Sequence, residues 1–290
     1  MDASFSTNPS MLIKTSQILK NLNCLQCNLR RCKEATSSLV QFVSESDYDI
    51  LLIQEPYSVK GEIRGFPLSW NILYKNLSKD FPVQKQNPRA CIVVTSKQLD
   101  PTVCKIDRDI ISISINSGTV QLCISSCYCS PAEEIERNLI HLDNIIQSAP
   151  TAHHFIGGDM NAHCVQWGYP KSDSRGEQVE DFIAANSLVL HNDTVQGPTF
   201  ETCSGKGWPD LTLSSTNAST FLKNWKILDE ENNSDHKFIH FEIDLTFSST
   251  STKRFHITES GIKKFKNLLA KEKNFHFERH KLLQGSQPIK

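Results

Sequence analysis

No stretch of the 290-residue chain approaches the roughly 18 to 20 consecutive apolar residues that a membrane-spanning helix needs, and its N-terminus has no charged-then-apolar leader pattern. No membrane partner is expected, and the chain reads as intracellular. A second Cys-x-x-C is missing as well. Cys24 and Cys27 form one such pair, but no other follows at zinc-ribbon spacing and the neighbours are apolar. Cys123, Cys127 and Cys129 share one alternation along a single strand, as small buried hydrophobes do. Internal repeats are absent, so a solenoid is not expected. An excess of positive charge is lacking too. Of 31 Lys/Arg and 32 Asp/Glu, residues 253–290 hold ten against three, which leaves 21 against 29 for residues 1–252. The bulk of the chain is therefore no basic clamp, and any attraction for phosphate must come from local loops or from this tail.

What is present suits one large domain with an appendage, since 38% apolar residues over this length can bury a substantial core. Residues 23–29 read as a strand, and Ala35, Leu39, Phe42 and Val43 recur at helical spacing within 33–46. A buried strand over 49–54 runs into Glu55-Pro56-Tyr57. Further strands are expected over 90–95, 109–115 and 120–128, and then Ile135, Leu139, Leu142 and Ile146 mark a helix. That helix feeds the segment His153 to His163, an apolar approach with Gly157-Gly158 and then Asp159 and Asn161. The two glycines are expected to let the backbone turn, and in an extended segment Asp159 and Asn161 would face one way. Taken alone, Gly-Gly-Asp-x-Asn is equally a polar turn with Asx capping. A long loop over 163–176 follows, then a helix through Phe182 and short strands near 189–191, 199–202, 209–213 and 238–244. Asp210 heads an apolar strand and calls for a partner, which Asn233-Ser234-Asp235-His236 can supply. This gives an extension over 1–22, a domain over 23–246, and over 247–290 a Ser/Thr linker with a basic amphipathic tail carrying Ile262, Phe265 and Leu269. Strands that alternate with helices and with hairpin-like pairs argue for a layered mixed-sheet α/β fold.

Asn28, Glu55, Tyr128, Asp159, Asn161, Asp210, Asp235 and His236 all fall at the ends of expected strands. Metal-assisted phosphodiester hydrolysis needs such a set: oxygen ligands for a hard cation, a base for the attacking water, and donors for the charge that builds on the phosphoryl oxygens. The residues that carry these positions also resemble a family, the endonuclease domain of non-LTR retrotransposons, within the endonuclease/exonuclease/phosphatase superfamily of apurinic-site endonucleases. The matching pieces are Leu25 to Leu29 with Arg31, Lys33, Ala35 and Thr36, then Ile53 to Tyr57, Tyr128 to Pro131, and Gly158 to His163 before Trp167-Gly168. They continue with Ser172-Asp173 to Arg175-Gly176, Pro198 to Phe200, Asp210 to Leu213, and Ser234 to His236, in order from about 25 to 245.

The resemblance implies a four-layer α/β sandwich with two facing mixed sheets, and a Mg²⁺-dependent DNA endonuclease, with Mn²⁺ as a substitute, that nicks one strand to leave a 3′-hydroxyl. By the same resemblance Glu55 holds the metal, helped by Asn28 and Asp235, Asp159 orients and deprotonates the water, and Asn161 and Tyr128 hold the phosphate. His236, oriented by Asp210, stabilises the pentavalent centre or passes a proton. Arg30, Arg31, Lys171, Arg175 and Lys206 are the expected DNA contacts, and the nucleus is the expected compartment. Arg30 departs from the pattern, standing where apurinic-site enzymes carry an acidic metal ligand, which argues against abasic-site cleavage. No reverse-transcriptase signature follows, so a truncated copy, a fragment or a captured domain is expected. The alternatives are a superfamily phosphatase or RNA nuclease, or a catalytically silent relic serving as an interaction module.

Overall fold

The computed structural model of the chain describes residue 19, residues 21–76 and residues 87–246. In order these form β1 (Asn21–Asn28), α1 (Lys33–Ser44), β2 (Ile50–Gln54), the hairpin β3 (Ser58–Val59) and β4 (Glu62–Ile63), β5 (Asn71–Leu73) and β6 (Ala90–Val94). Then come β7 (Thr102–Ile106), β8 (Ile110–Ser117), β9 (Val120–Tyr128), α2 (Glu136–Ser148), β10 (His153–Asp159), α3 (Ser174–Ala185) and β11 (Leu188–Leu190). A second hairpin, β12 (Phe200–Thr202) and β13 (Gly205–Gly207), precedes β14 (Asp210–Ser215), β15 (Leu222–Ile227) and β16 (Ile239–Asp244). The expected N-terminal extension falls mostly outside the described residues, as do the linker and basic helix of 247–290, and β1 starts at Asn21, inside the range assigned to the extension.

Two six-stranded mixed sheets result, ordered β15-β16-β1-β2-β6-β5 and β11-β14-β10-β9-β8-β7. Alternation along each strand decides how they stack. Cys24, Ile50, Leu52, Ile92 and Val94 of the first sheet share a core with Ile113, Leu122, Ile124 and Phe155 of the second, so these faces meet. The opposite face of the first sheet, with Leu25, Leu51 and Val93, is covered by Ala35, Leu39 and Val43 of α1. Ile156, Leu211 and Leu213 on the far face of the second are covered by Leu142 and Ile146 of α2 and by Val179 and Phe182 of α3. The outcome is the expected four-layer α/β sandwich, helix on sheet on sheet on helix.

Candidate active site

Pairing register gathers the strand ends at one end of the seam between the sheets. β1 runs parallel to β2 with Asn28 opposite Gln54, and β10 runs parallel to β9 with Asp159 opposite Tyr128. The antiparallel partner β14 starts where β10 stops, so Asp210 faces Asp159. Asn28, Asp159 and Asp210 all lie on the inner face, and side chains link them across the seam. Asn28 Nδ2 donates to Asp159 Oδ2 at 2.8 Å, and His236 Nδ1 lies 2.9 Å from Asp210 Oδ2. Thr199 Oγ1 donates to the same Asp210 oxygen at 2.7 Å, and Ser234 Oγ donates to Asn28 O at 2.7 Å, tying the turn that carries Asp235 and His236 to the end of β1. The partner expected for Asp210 is thus His236.

A polar layer that the sequence reading missed lies beneath the site. Gln26 Nε2 reaches Leu211 O at 3.3 Å while its Oε1 accepts from Thr212 Oγ1 at 3.1 Å, and Gln54 Nε2 donates to Ser126 Oγ at 3.0 Å. The signal was there, because a glutamine amid apolar strand residues has to find partners when buried. This layer also corrects the reading of Gly157 and Gly158. Both lie inside β10 and neither has positive φ, so they make no turn. A Cβ at Gly157 would stand 2.6 Å from Leu52 Cδ1, and one at Gly158 2.6 Å from Cys127 O, so close approach is what excludes a side chain.

The strand ends at Asp159, and Asn161 adopts φ +45°, so these two residues do not face one way as an extended segment would require. The Asx turn that was the alternative is present, with Asn161 N donating to Asp159 Oδ1 at 3.0 Å. Asp159 therefore both closes a turn and faces the cleft. Burial, then the charge of Asp210, pushes its carboxyl up to about 7, against the lowering influence of His236 and Asn28. His236 is raised as well, which in its case favours the charged form. Burial disfavours the charged ring, but the Asp210 charge and hydrogen bond override it and hold the imidazole at about 9. The Tyr128 phenol is raised by burial and then by the nearby Glu55 and Asp159 charges, so it stays a neutral donor.

Each carboxylate expected to hold a cation has an arginine beside it. Arg31 Nη2 lies 2.5 Å from Glu55 Oε1, and Arg30 Nη1 lies 2.7 Å from Asp235 Oδ2. Asn28 Oδ1 accepts from Arg30 N at 2.8 Å. Asp159, Asp210 and His236 also bring ligand atoms within 4.8 Å of one another, but the Asp210 oxygens already face His236 Nδ1 and Thr199 Oγ1, which makes that pair a dyad rather than a cage. The donor set still fits a hard cation, since Glu55 and Asp235 offer carboxylate oxygens and Asn28 a carboxamide oxygen.

Of the other expected DNA contacts, Lys171 is exposed, and Lys206 on the β12–β13 hairpin pairs with Glu201 at 2.7 Å. Arg175 points inward instead. Its Nε donates to Asn161 O at 2.8 Å, Nη1 to Glu133 O at 2.7 Å, and Nη2 to Met160 O and Cys129 O at 3.2 and 3.3 Å. With its donors turned to backbone carbonyls, it has little left to offer a phosphate. The expected 163–176 loop is shorter than read, since it contains a 3-10 turn (Val165–Trp167) and α3 begins at Ser174.

A family described as "Endonuclease-reverse transcriptase" matches residues 122–240. The chain is 22% identical over 198 residues to the Pol polyprotein of the type-1 retrotransposable element R1 of Bradysia coprophila, spanning 64% of this chain but only 19% of that relative. Among solved structures, the endonuclease domain of TRAS1, a telomere-specific non-LTR retrotransposon, aligns at TM-score 0.68 and 25% identity, over 78% of this chain and all of that one. An apurinic endonuclease of Leishmania major aligns at TM-score 0.56 and 10% identity, over 78% of this chain and 88% of that one, a likeness of fold alone. Among the described residues no helix is long and apolar enough to cross a membrane.

Proposed function

We propose that this chain, which has the fold and the motif set of the endonuclease domain of non-LTR retrotransposons, hydrolyses a phosphodiester of DNA with a divalent cation, nicking one strand to leave a 3′-hydroxyl. The observation that carries this reading is the pair of bonds Asn28–Asp159 and Asp210–His236, set side by side by the register of Asp159 opposite Asp210 and lying between the two sheets near Glu55 and Tyr128.

In this reading Asp159 takes the proton of the attacking water. A base held at about 7 is half ionised near neutrality, where proton transfer is most effective. Asn28 holds the Asp159 carboxylate in place from the opposite sheet. His236, kept charged by Asp210, turns Nε2 to the phosphoryl oxygens, while Asn161 and the neutral Tyr128 phenol donate to the same phosphate. Glu55, helped by Asn28 and Asp235, would hold Mg²⁺ or Mn²⁺, which supplies positive charge to the phosphoryl and leaving oxygens. Arg30, Arg31, Lys171 and Lys206 are left to meet the DNA backbone, and a chromosomal target places the work in the nucleus. We assign the catalytic unit to residues 23–246.

The test is nicking of supercoiled plasmid in Mg²⁺ by the wild type, Asp159→Ala and His236→Ala, with a polymerase extension assay on the nicked product. We expect the wild type to nick and its product to be extended, with each variant slower by about a hundred- to a thousandfold. Equal activity in all three removes the mechanism, and a silent wild type favours a relic.

A further inference from the structure

Two buried or inward-facing arginines lie outside the set of eight and meet at one residue, Glu133. Arg89 is the first, with its side chain 5% exposed. Its Nε and Nη2 grip the two carboxylate oxygens of Asp109 at 2.5 and 2.6 Å, and its Nη1 and Nη2 grip those of Glu133 at 2.9 and 2.6 Å. The same guanidinium sits 5.6 Å from the centre of the Tyr128 ring, and Asp109 O accepts from Tyr128 N at 2.9 Å. Arg89 O in turn accepts from Glu55 N at 2.8 Å. Arg175 is the second, and its fork joins Glu133 O to Cys129 O, Met160 O and Asn161 O.

We propose that Arg89 and Arg175, joined through Glu133, are positioning residues that hold Tyr128 and Asn161 in register at the reacting phosphate. The inference rests on the reading above for what those two side chains do. Tyr128 is the last residue of β9 and Asn161 lies two past the end of β10, where the backbone bonds of the ladder stop after Cys129 N to Asp159 O and Met160 N to Pro209 O. A flexible exit would let both donors drift, and a displacement of about 1 Å at a reacting group can cost on the order of a hundredfold in rate. A planar guanidinium with five donors can tie several acceptors at once without a rotamer search. The arrangement is also costly as mere packing, because a buried ion cluster is often no more stable than apolar side chains of the same volume. Here it ends on two residues of the site.

The experiment uses the full chain with ¹³Cζ-labelled tyrosine, the Tyr128 resonance being identified by Y128F. Glu133→Ala is the main variant, because it loosens Arg89 while the buried pair with Asp109 survives and the fold is kept. Its Tyr128 resonance is expected to shift or broaden while those of Tyr48 and Tyr169 stay in place, and single-turnover nicking to fall about tenfold. That loss should vanish in the Y128F background, just as the loss in Arg175→Gln should vanish in the N161A background. Duplex binding in EDTA across a salt series should keep its slope in Arg175→Gln, since a lost phosphate contact would lower the slope by about one. An unmoved Tyr128 resonance in E133A, additive losses in the double variants, or a reduced salt slope overturns the proposal. A wild type that does not nick although the resonance moves removes the nuclease reading and upholds the positioning.

Discussion

At the scale of single residues the site is held in costly backbone conformations. Arg30, Arg31, Glu55 and Asn161 have φ of +51°, +56°, +45° and +45°, each a left-handed conformation that side chains disfavour by roughly 1 kcal/mol or more. Such residues persist where surrounding bonds over-determine them, as Arg31 N to Glu55 O and Asn161 N to Asp159 Oδ1 do here. The sequence singles out Asp159, Asp210 and His236 as polar groups set against apolar strands, and the structure brings the three together. The sequence could not expose the backbone angles, and so Asn161 was read as the extended partner of Asp159 rather than as the arm of a turn. The raised pKa values of Asp159 and His236 give the residue-scale prediction. Both groups are raised, so each adds stability that is complete below its ordinary value and is lost as pH climbs, through about 7 for Asp159 and about 9 for His236. Stability should therefore decline toward alkaline pH in urea melts. In the proposed mechanism Asp159 acts ionised and His236 charged, so kcat/KM should peak between about pH 7 and about pH 9. A rate that keeps rising beyond pH 10 would contradict the charged role of the imidazole.

Among elements, those with an apolar signature were legible and those without one were not. The strands of 50–54 and 90–94 are buried throughout and were read directly from their aliphatic runs. β7 and β15 were missed. Both are edge strands with few buried residues, Thr-Val-Cys-Lys-Ile and Leu-Lys-Asn-Trp-Lys-Ile, whose pairing comes from the neighbouring strand rather than from their own pattern. α3 was found, but its start was placed too late because its cap lies within the expected loop. Asp173 Oδ1 accepts from Gly176 N at 2.7 Å and from His163 N at 3.1 Å, so one carboxylate both opens the helix and closes the loop leaving Asn161. Asp173→Ala should lower stability by about 1 kcal/mol, read as a lower urea midpoint at unchanged slope. Asp173→Asn keeps an acceptor and should recover most of it. A midpoint unmoved by the alanine would mean that Ser174 or solvent caps the helix as well.

For the molecule as a whole, the candidate site depends on how closely the two sheets approach at the end where the strands finish. Asn28 comes from the first sheet and Asp159 from the second, 131 positions apart, and their 2.8 Å bond exists only if the seam beneath is tight. Gly157 sets that tightness, while Gly158 answers to the neighbouring strand of its own sheet. A methyl at Gly157 would press on Leu52 Cδ1 at 2.6 Å and Gln26 Oε1 at 2.7 Å, both the ends of side chains rather than backbone. A methyl at Gly158 would meet the Cys127 carbonyl at 2.6 Å, backbone of the neighbouring β9 that cannot move without its strand. Gly157→Ala should therefore cost about 1–3 kcal/mol, the usual range for overpacking, and Gly158→Ala more. The effects on catalysis should rank differently. Gly157 faces the opposite sheet, so its methyl pushes against Gln26 and Leu52 and lengthens the reach from Asn28 to Asp159, which lowers kcat more than its loss of stability would suggest. Urea melts and single-turnover rates on both variants decide the matter. If G157A keeps the full rate at reduced stability, the polar layer beneath the site only supports the fold and does not set the distance between the sheets.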